Sequence, residues 1–316
     1  MKSKVGILST QFFYHQDCLD HYPGLSHPES PKRLISITKI LSHTDFDRLS
    51  RVQSPKAEFD TITLMHDPYY VETIFNSLPI SNFKQLDPDT ILSPGSGDAL
   101  LRSVGGICSA VDNVLSGLSN NAFCCMRPPG HHAEYGEAMG FCIFNNIAVA
   151  AKYAQKKYGI DKVAVVDFDV HHGNGTQHLF ENDPNLFYAS THQYPAYPGT
   201  GAISEVGSGN IVNVPLKPGT GSEAFREAYT KTILPKLNTF EPQLLLVSAG
   251  FDAHRKDPLC QLNLNSDDFS WVTKHLIEVA DNHCQGMLIS TLEGGYDLDA
   301  LASSVAKHVQ ELLMYG

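Results

Sequence analysis

The stretch Asp167-Phe168-Asp169-Val170-His171-His172-Gly173-Asn174 packs two carboxylates, two imidazoles and an amide into one short segment. Side chains alternate in an extended backbone, so Asp167, Asp169 and His171 project to the same side. An Asp/His pair joined by a third carboxylate from another loop makes a zinc site that leaves one coordination position for water. Asp257 is the preferred third ligand, with Asp252 as the alternative. A competing reading has Asp169 and His171 merely capping a helix over 173–180. A second group is the tandem His131-His132, which follows the rigid turn Arg127-Pro128-Pro129-Gly130. Adjacent histidines can act as base and acid around a metal-bound water, each needing a partner on its far nitrogen. Asp167 and Asn174 are the candidate partners, and a carboxylate behind one ring and an amide behind the other would separate the two pKa values. A third group is Glu293-Gly294-Gly295-Tyr296, where a phenol aimed at a carbonyl oxygen would stabilise developing negative charge.

These groups sit at the ends of apolar, β-branched runs. Val5–Leu8, Ala122–Cys125, Val163–Val166, Leu186–Tyr188, Leu244–Val247 and Met287–Ile289 read as buried strands, with little of the polar alternation that a half-exposed strand shows. Helical patterns cover roughly 98–118, 145–158, 222–238, 266–283 and 298–314, with Ser222 and Asn265 or Ser266 as N-caps. The alternation predicts an α/β fold, a single open and mainly parallel sheet with helices on both faces. Ligands of such sheets lie beyond the carboxyl ends of the strands. Asp167–Gly175, Ser190-Thr191-His192, Ser248–Asp257 and Glu293–Tyr296 all follow strands, and Arg127–His132 follows another. One domain over 1–316 is expected.

The formal charge of −11, from 23 basic and 34 acidic residues, argues against a nucleic-acid partner. No apolar run reaches the length of a membrane span, and the apolar part of the start is too short for a signal peptide. The seven cysteines include no CxxC pair and read as reduced, mostly buried thiols of a cytoplasmic protein. Six of the 15 histidines fall between 131 and 192.

Arg127–Ala133, Gly140–Asn146, Asp167–Thr176, Ser248–Asp252, Asp257-Pro258-Leu259 and Leu292–Asp297 together resemble the zinc-dependent histone deacetylase family, which includes bacterial amidohydrolases and acetylpolyamine deacetylases. The resemblance runs from His27 to the C-terminal helix. Asn174 and the Leu-Glu-Gly-Gly-Tyr segment are similar to its class II branch. It implies zinc ligands Asp169, His171 and Asp257, an acid–base pair His131 and His132 backed by Asp167 and Asn174, and Tyr296 as the carbonyl-polarising hydroxyl. It also implies two potassium sites: an inner one at Asp167, Asp169, His171, Ser190 and Thr191, and an outer one at Phe180, Asp183, Leu186 and Asn210. Asp89 matches a rim aspartate that orients the substrate backbone. Gly140, Phe141 and Tyr197 would wall the acyl channel, with Leu259 at its mouth. The implied reaction is removal of acetyl or other acyl groups from acyl-lysine residues or related acylated amines by attack of metal-bound water.

An acidic gatekeeper two residues after the third zinc ligand marks some polyamine-deacetylating relatives. Leu259 stands there and favours acyl-lysine or a broad specificity, although Asp17, Asp20 or Asp89 could supply the charge instead. The rival readings are a binuclear manganese ureohydrolase-like enzyme and a binding module that retains the fold without catalysis. The oligomeric state is left open, including a homo-oligomer that would narrow the site.

Overall fold

The computed structural model describes residues 10–315. The strand expected at Val5–Leu8 lies outside them. The described residues form ten strands: β1 (Thr10–Tyr14), β2 (Ser50–Gln53), β3 (Lys84–Gln85), β4 (Ile91–Leu92), β5 (Asn121–Cys124), β6 (Val163–Asp167), β7 (Leu186–Gln193), β8 (Ile211–Leu216), β9 (Leu244–Ala249) and β10 (Leu288–Leu292). Eight of them form one sheet in the order β2-β1-β5-β10-β9-β6-β7-β8, and every pairing in it is parallel. β3 and β4 form a small antiparallel pair. Strands β5, β6, β7, β9 and β10 are buried along their whole length, in keeping with their largely apolar sequences.

The helices are α1 (Lys32–Ile40), α2 (Phe59–Ile62), α3 (Pro68–Asn76), α4 (Ser96–Leu115), α5 (Asn146–Tyr158), α6 (Asn174–Phe180), α7 (Ser222–Ala228), α8 (Leu234–Phe240), α9 (Ser266–His283) and α10 (Leu298–Tyr315). The expected helices at 98–118, 145–158, 266–283 and 298–314 correspond to α4, α5, α9 and α10. Asn265 caps α9 with a reciprocal capping box to Asp268. Ser222 is not a cap. It lies inside α7, and its hydroxyl donates to Asp268 Oδ2 at 2.6 Å. The single helix expected over 222–238 is interrupted by a π-helical stretch, Tyr229–Ile233. Pro235, at the start of α8, has no N–H for the carbonyl four residues back, and the register shifts just before it.

One apolar cluster runs through the sheet and the helices on it, from Phe12 and Leu34 to Val309 and Leu312. Burying it holds the carboxyl ends of β5, β10, β9, β6 and β7 side by side. Asp167 is the register partner of Ser190 on one side and of Ser248 on the other, so three strand ends present polar groups at one level.

Candidate active site

Asp169 and His171 follow β6. Asp169 Oδ1 accepts from His171 N at 2.9 Å, and its Oδ2 accepts from Gly294 N at 2.8 Å. Neither residue caps α6, whose N-cap position is Gly173 with no side-chain bond. Those two side chains face the other strand ends. Gly294 has to be glycine, because a Cβ there would stand 2.0 Å from Asp252 Oδ2 and 2.6 Å from Asp169 Oδ2.

The tandem histidines come from the turn after β5. Glu293, just after β10, fixes that turn by accepting Gly130 N at 2.7 Å and His131 N at 3.2 Å on one carboxylate oxygen. The two rings stand 4.1 Å apart between centroids. His131 Nδ1 is 2.9 Å from Asp167 Oδ2, and His132 Nδ1 is 2.7 Å from Asn174 Oδ1. The two environments push the rings apart electrostatically. Burial pulls His131 down, but the carboxylates of Asp167, Asp169 and Glu293 outweigh it and raise it to about 10. Burial, together with the neighbouring His131 and His171, holds His132 well below the usual imidazole range. The two rings are thus shifted in opposite directions.

A cavity of about 250 Å³ opens onto this floor. His132, His171 and Tyr296 line it together with Gly140, Phe141, Tyr197, Asp89 and Leu259. Phe141 sits at φ +68°, a left-handed conformation unusual for a phenylalanine, with its N–H donated to Thr90 Oγ1 at 3.0 Å. Its ring meets Tyr296 edge-on at 5.9 Å, and the Tyr197 ring meets His132 edge-on at 5.2 Å. Gly140, at φ +58°, lets the chain pass His132, since a Cβ would come 2.5 Å from the His132 ring. Burial, then the nearby Asp87, raises the Asp89 carboxyl. Arg33 lies 4.9 Å over the Tyr296 ring and donates to Gly295 O at 2.7 Å, clamping the loop that carries the phenol.

Ligand atoms of Asp169, His171 and Asp252 lie within 4.8 Å of one another. His171 Nδ1 is 3.2 Å from both Asp169 Oδ1 and Asp252 Oδ2. Asp257 is outside that trio, with its oxygens accepting Tyr296 N at 2.7 Å and Leu259 N at 3.1 Å. Burial, then repulsion from Asp169, raises the Asp252 carboxyl, and Asp257 adds to the repulsion. Carboxylates crowded at one imidazole in a buried site make an O/N donor set of the kind zinc takes, with negative charge that a cation would relieve. The residues fit that ion. A second group, His131, Cys142 and Glu293, is equally close. There His131 Nδ1 is engaged by Asp167, Glu293 is engaged by the turn, and burial keeps the Cys142 thiol protonated.

Where the resemblance implies an inner potassium, Ser190 stands beside Asp167 across the sheet, and its hydroxyl is 2.9 Å from His192 Nδ1. The Thr191 hydroxyl lies 3.5 Å from that of Tyr229. At the outer position the carbonyls of Phe180, Asp183 and Leu186 do converge. All three accept from Asn210 Nδ2, at 2.8, 3.0 and 2.6 Å, while Asn210 Oδ1 accepts from Ser208 N and Oγ at 3.1 and 3.0 Å. An amide nitrogen thus already serves that carbonyl ring. The outer set does not fit an ion with this side chain in place.

The structure brings in residues that the sequence reading did not assign. Glu293 pins the histidine turn, and Arg33 pins the tyrosine loop. Glu29 binds Arg127 through both carboxylate oxygens and Arg33 at 3.2 Å. Charged residues inside otherwise apolar or turn-forming segments are the available signal, because such groups are almost never fully buried without a partner.

All seven cysteines are free. Among the described residues no helix is long and apolar enough to cross a membrane. A histone deacetylase domain model matches residues 27–312. An uncharacterized protein of Synechocystis is 40% identical over 95% of this chain and 98% of its own length. The histone deacetylase-like amidohydrolase of Pseudomonas aeruginosa is 38% identical over 91% of this chain and 81% of its own. The crystal structure of the HDA15 HD domain superposes with a TM-score of 0.92 at 33% identity, covering 97% of this chain and 88% of that one. The parallel sheet is therefore that of the arginase/deacetylase fold, and the chain belongs to the histone deacetylase family.

Proposed function

We propose that the chain is a zinc-dependent amidohydrolase that removes acetyl or related acyl groups from acyl-lysine, working as one catalytic domain. The observation that carries the reading is the unequal histidine pair, His131 on Asp167 and His132 on Asn174, beside the Asp169–His171 set at the floor of one cavity. Asp169, His171 and Asp257 would hold the zinc. Asp257 is preferred to Asp252 because a catalytic metal needs an open face, and Asp257 is 8% exposed beside the cavity-lining Leu259 while Asp252 is sealed at 1%. When bound, the zinc would polarise the amide carbonyl and bring a water's pKa down to about 7.

The chain's own residues then divide the proton work. His132, neutral, takes the proton of the attacking water at Nε2 and returns it to the leaving amine nitrogen. His131, held protonated by Asp167, stabilises the negative charge that develops on the former carbonyl carbon's oxygens. The Tyr296 hydroxyl donates to the carbonyl oxygen as its charge grows. Phe141 and Tyr197 flank the acyl-lysine methylenes, and Asp89 accepts from the substrate backbone. Potassium at the inner position, near Asp167, Asp169, His171, Ser190 and Thr191, would brace the β6 and β7 ends.

An acetylated polyamine is the second reading, favoured by the rim carboxylate of Asp89. Against it, Leu259 is apolar at the mouth, and Asp17 is committed to Arg102 at 2.8 Å. Turnover of an acetyl-lysine peptide compared with N-acetylputrescine and N-acetylcadaverine tests the choice. The peptide should be the better substrate by kcat/KM. A clear preference for either diamine would replace acyl-lysine with polyamine, and no hydrolysis of any of the three by zinc-loaded protein would refute both.

A further inference from the structure

Glu134 lines no part of the cavity and is no candidate ligand, yet it bonds to the residue behind His132. We propose that Glu134 is a positioning residue: it fixes the side-chain amide of Asn174 and, through it, the tautomer of His132. The inference rests on the reading of His132 as the proton carrier.

The contacts around the Asn174 amide define its orientation. Asn174 Nδ2 donates to Glu134 Oε1 at 2.5 Å, and it also faces the His132 carbonyl and Met139 Sδ, both at 3.2 Å. Every neighbour of that nitrogen is an acceptor. Turned by half a rotation, the amide would set its oxygen against a carboxylate and a carbonyl. Asn174 Oδ1 is therefore the atom that meets His132 Nδ1 at 2.7 Å. An amide oxygen only accepts, so His132 Nδ1 carries the hydrogen and Nε2 keeps its lone pair. Glu134 is the charged acceptor of the three and the strongest determinant of the orientation.

Glu134 is itself held in place. Its N–H donates to Glu137 O at 2.9 Å in the turn that follows His131-His132-Ala133. The same Oε1 accepts from His178 Nδ1 of α6 at 2.8 Å. Gly175 brings the start of α6 against Ala133, where a Cβ would be 2.1 Å from the carbonyl oxygen. The histidine turn and α6 are thus locked together, with Glu134 bridging them. Asp167 places a charge directly on His131, whereas Glu134 acts on His132 only through a neutral amide. His132 gains orientation without a carboxylate against its ring.

The test compares Glu134→Ala and Glu134→Gln with the wild type by steady-state kinetics on the acetyl-lysine peptide. It also reads ¹⁵N-histidine NMR of the neutral His132 ring, assigned with His132→Gln. The side chain of Glu134 is 21% exposed, so truncation leaves no sealed cavity, and thermal melting checks the fold. Glu134→Ala should lower kcat by about 10-fold to 100-fold, the range for losing a partner of an active-site group, with KM unchanged. The His132 signal should move from Nδ1–H toward a mixture of tautomers. Glu134→Gln keeps a carbonyl oxygen for both bonds and should recover most of kcat and the wild-type tautomer. A folded Glu134→Ala protein with the wild-type tautomer would overturn the proposal. If the wild type hydrolyses no acyl-amine, the functional reading fails, while the NMR comparison still decides the role of Glu134.

Discussion

Tyr296 is the residue whose role depends most on the proposed chemistry. Its phenol lines the cavity, and burial holds it protonated, well above its usual range, so it stays a donor. Tyr296→Phe removes that donor while keeping the ring packed on Phe141. Turnover should fall by roughly 10²–10³, as for loss of one oxyanion-hole donor, with little change in the melting temperature. Wild-type kcat in this variant would remove Tyr296 from the reaction. The third ligand is a second question at this scale. In metal analysis of purified variants, Asp257→Asn should lose most bound zinc, whereas Asp252→Asn should keep more of it. The reverse order would give the role to Asp252, which the distances to His171 already bring close. Spacing could place Asp169 and His171 on one face, but it could not choose between two carboxylates five residues apart on a loop. Glu134 was illegible for a related reason: its partners, Asn174 and His178, come from a helix far along the chain.

Glu29 joins three elements. It binds Arg127 before the histidine turn, Arg33 on α1 and, through Arg33, the loop after β10. Burial alone would raise its carboxyl, but Arg127, with His21 and Arg33, outweighs this and holds it at about 2. A carboxylate with a depressed folded pKa contributes stability that is present above its unfolded value and lost as pH falls through the folded one. The Glu29 contribution should therefore disappear between about pH 4.3, the unfolded carboxyl value, and pH 2. Glu29→Gln leaves two arginines short of their partner and should cost about 3–5 kcal/mol in denaturant unfolding at pH 7. A loss below about 1 kcal/mol, the range of a surface pair, would contradict a buried clamp. Among elements, long apolar runs and capped helices were legible: β6, β9 and α9 follow directly from Val163–Val166, Leu244–Val247 and the Asn265/Asp268 box. β8 was not, because Pro215 and Asn213 interrupt its pattern. Pro215 is tolerated there since β8 is an edge strand. α1 was missed because Pro31 gives it no side-chain cap and its sequence is rich in β-branched residues.

The molecule carries several buried histidines that do not line the cavity and whose surroundings favour the neutral form. Burial brings His21 and His308 down to about 3, and His66 and His192 to about 4. For each, the folded state refuses a proton that the unfolded chain accepts. Stability is full above the unfolded value of about 6.5 and falls as pH drops toward the folded values, by up to about 1.4 kcal/mol per pH unit for each histidine. Between about pH 6.5 and 4.5, above the range where Glu29 titrates, these histidines should pull the melting temperature down, against the opposite pull of the buried Asp252 and Glu293 carboxyls, whose raised values add stability as they protonate. The share of one histidine is read by substitution, and a His308→Gln profile parallel to that of the wild type would show His308 to be less buried than its surroundings indicate. His308→Gln should flatten part of the slope, since His308 bonds only Thr273 and Ser290, at 2.7 and 2.8 Å. At this scale the alternating pattern already pointed to a parallel α/β sheet with its site on one rim. The depth of burial at that rim follows from packing all eight strands together.

The central claim is that zinc held beside the unequal histidine pair makes this chain a deacetylase. The most direct measurement is hydrolysis of an acetyl-lysine peptide by protein stripped with a chelator and then titrated with zinc, with bound metal counted per chain. Activity should be absent after stripping and return in proportion to zinc, levelling at one ion per chain. Full activity in the stripped protein, or activity that returns only with two manganese ions per chain, would contradict it.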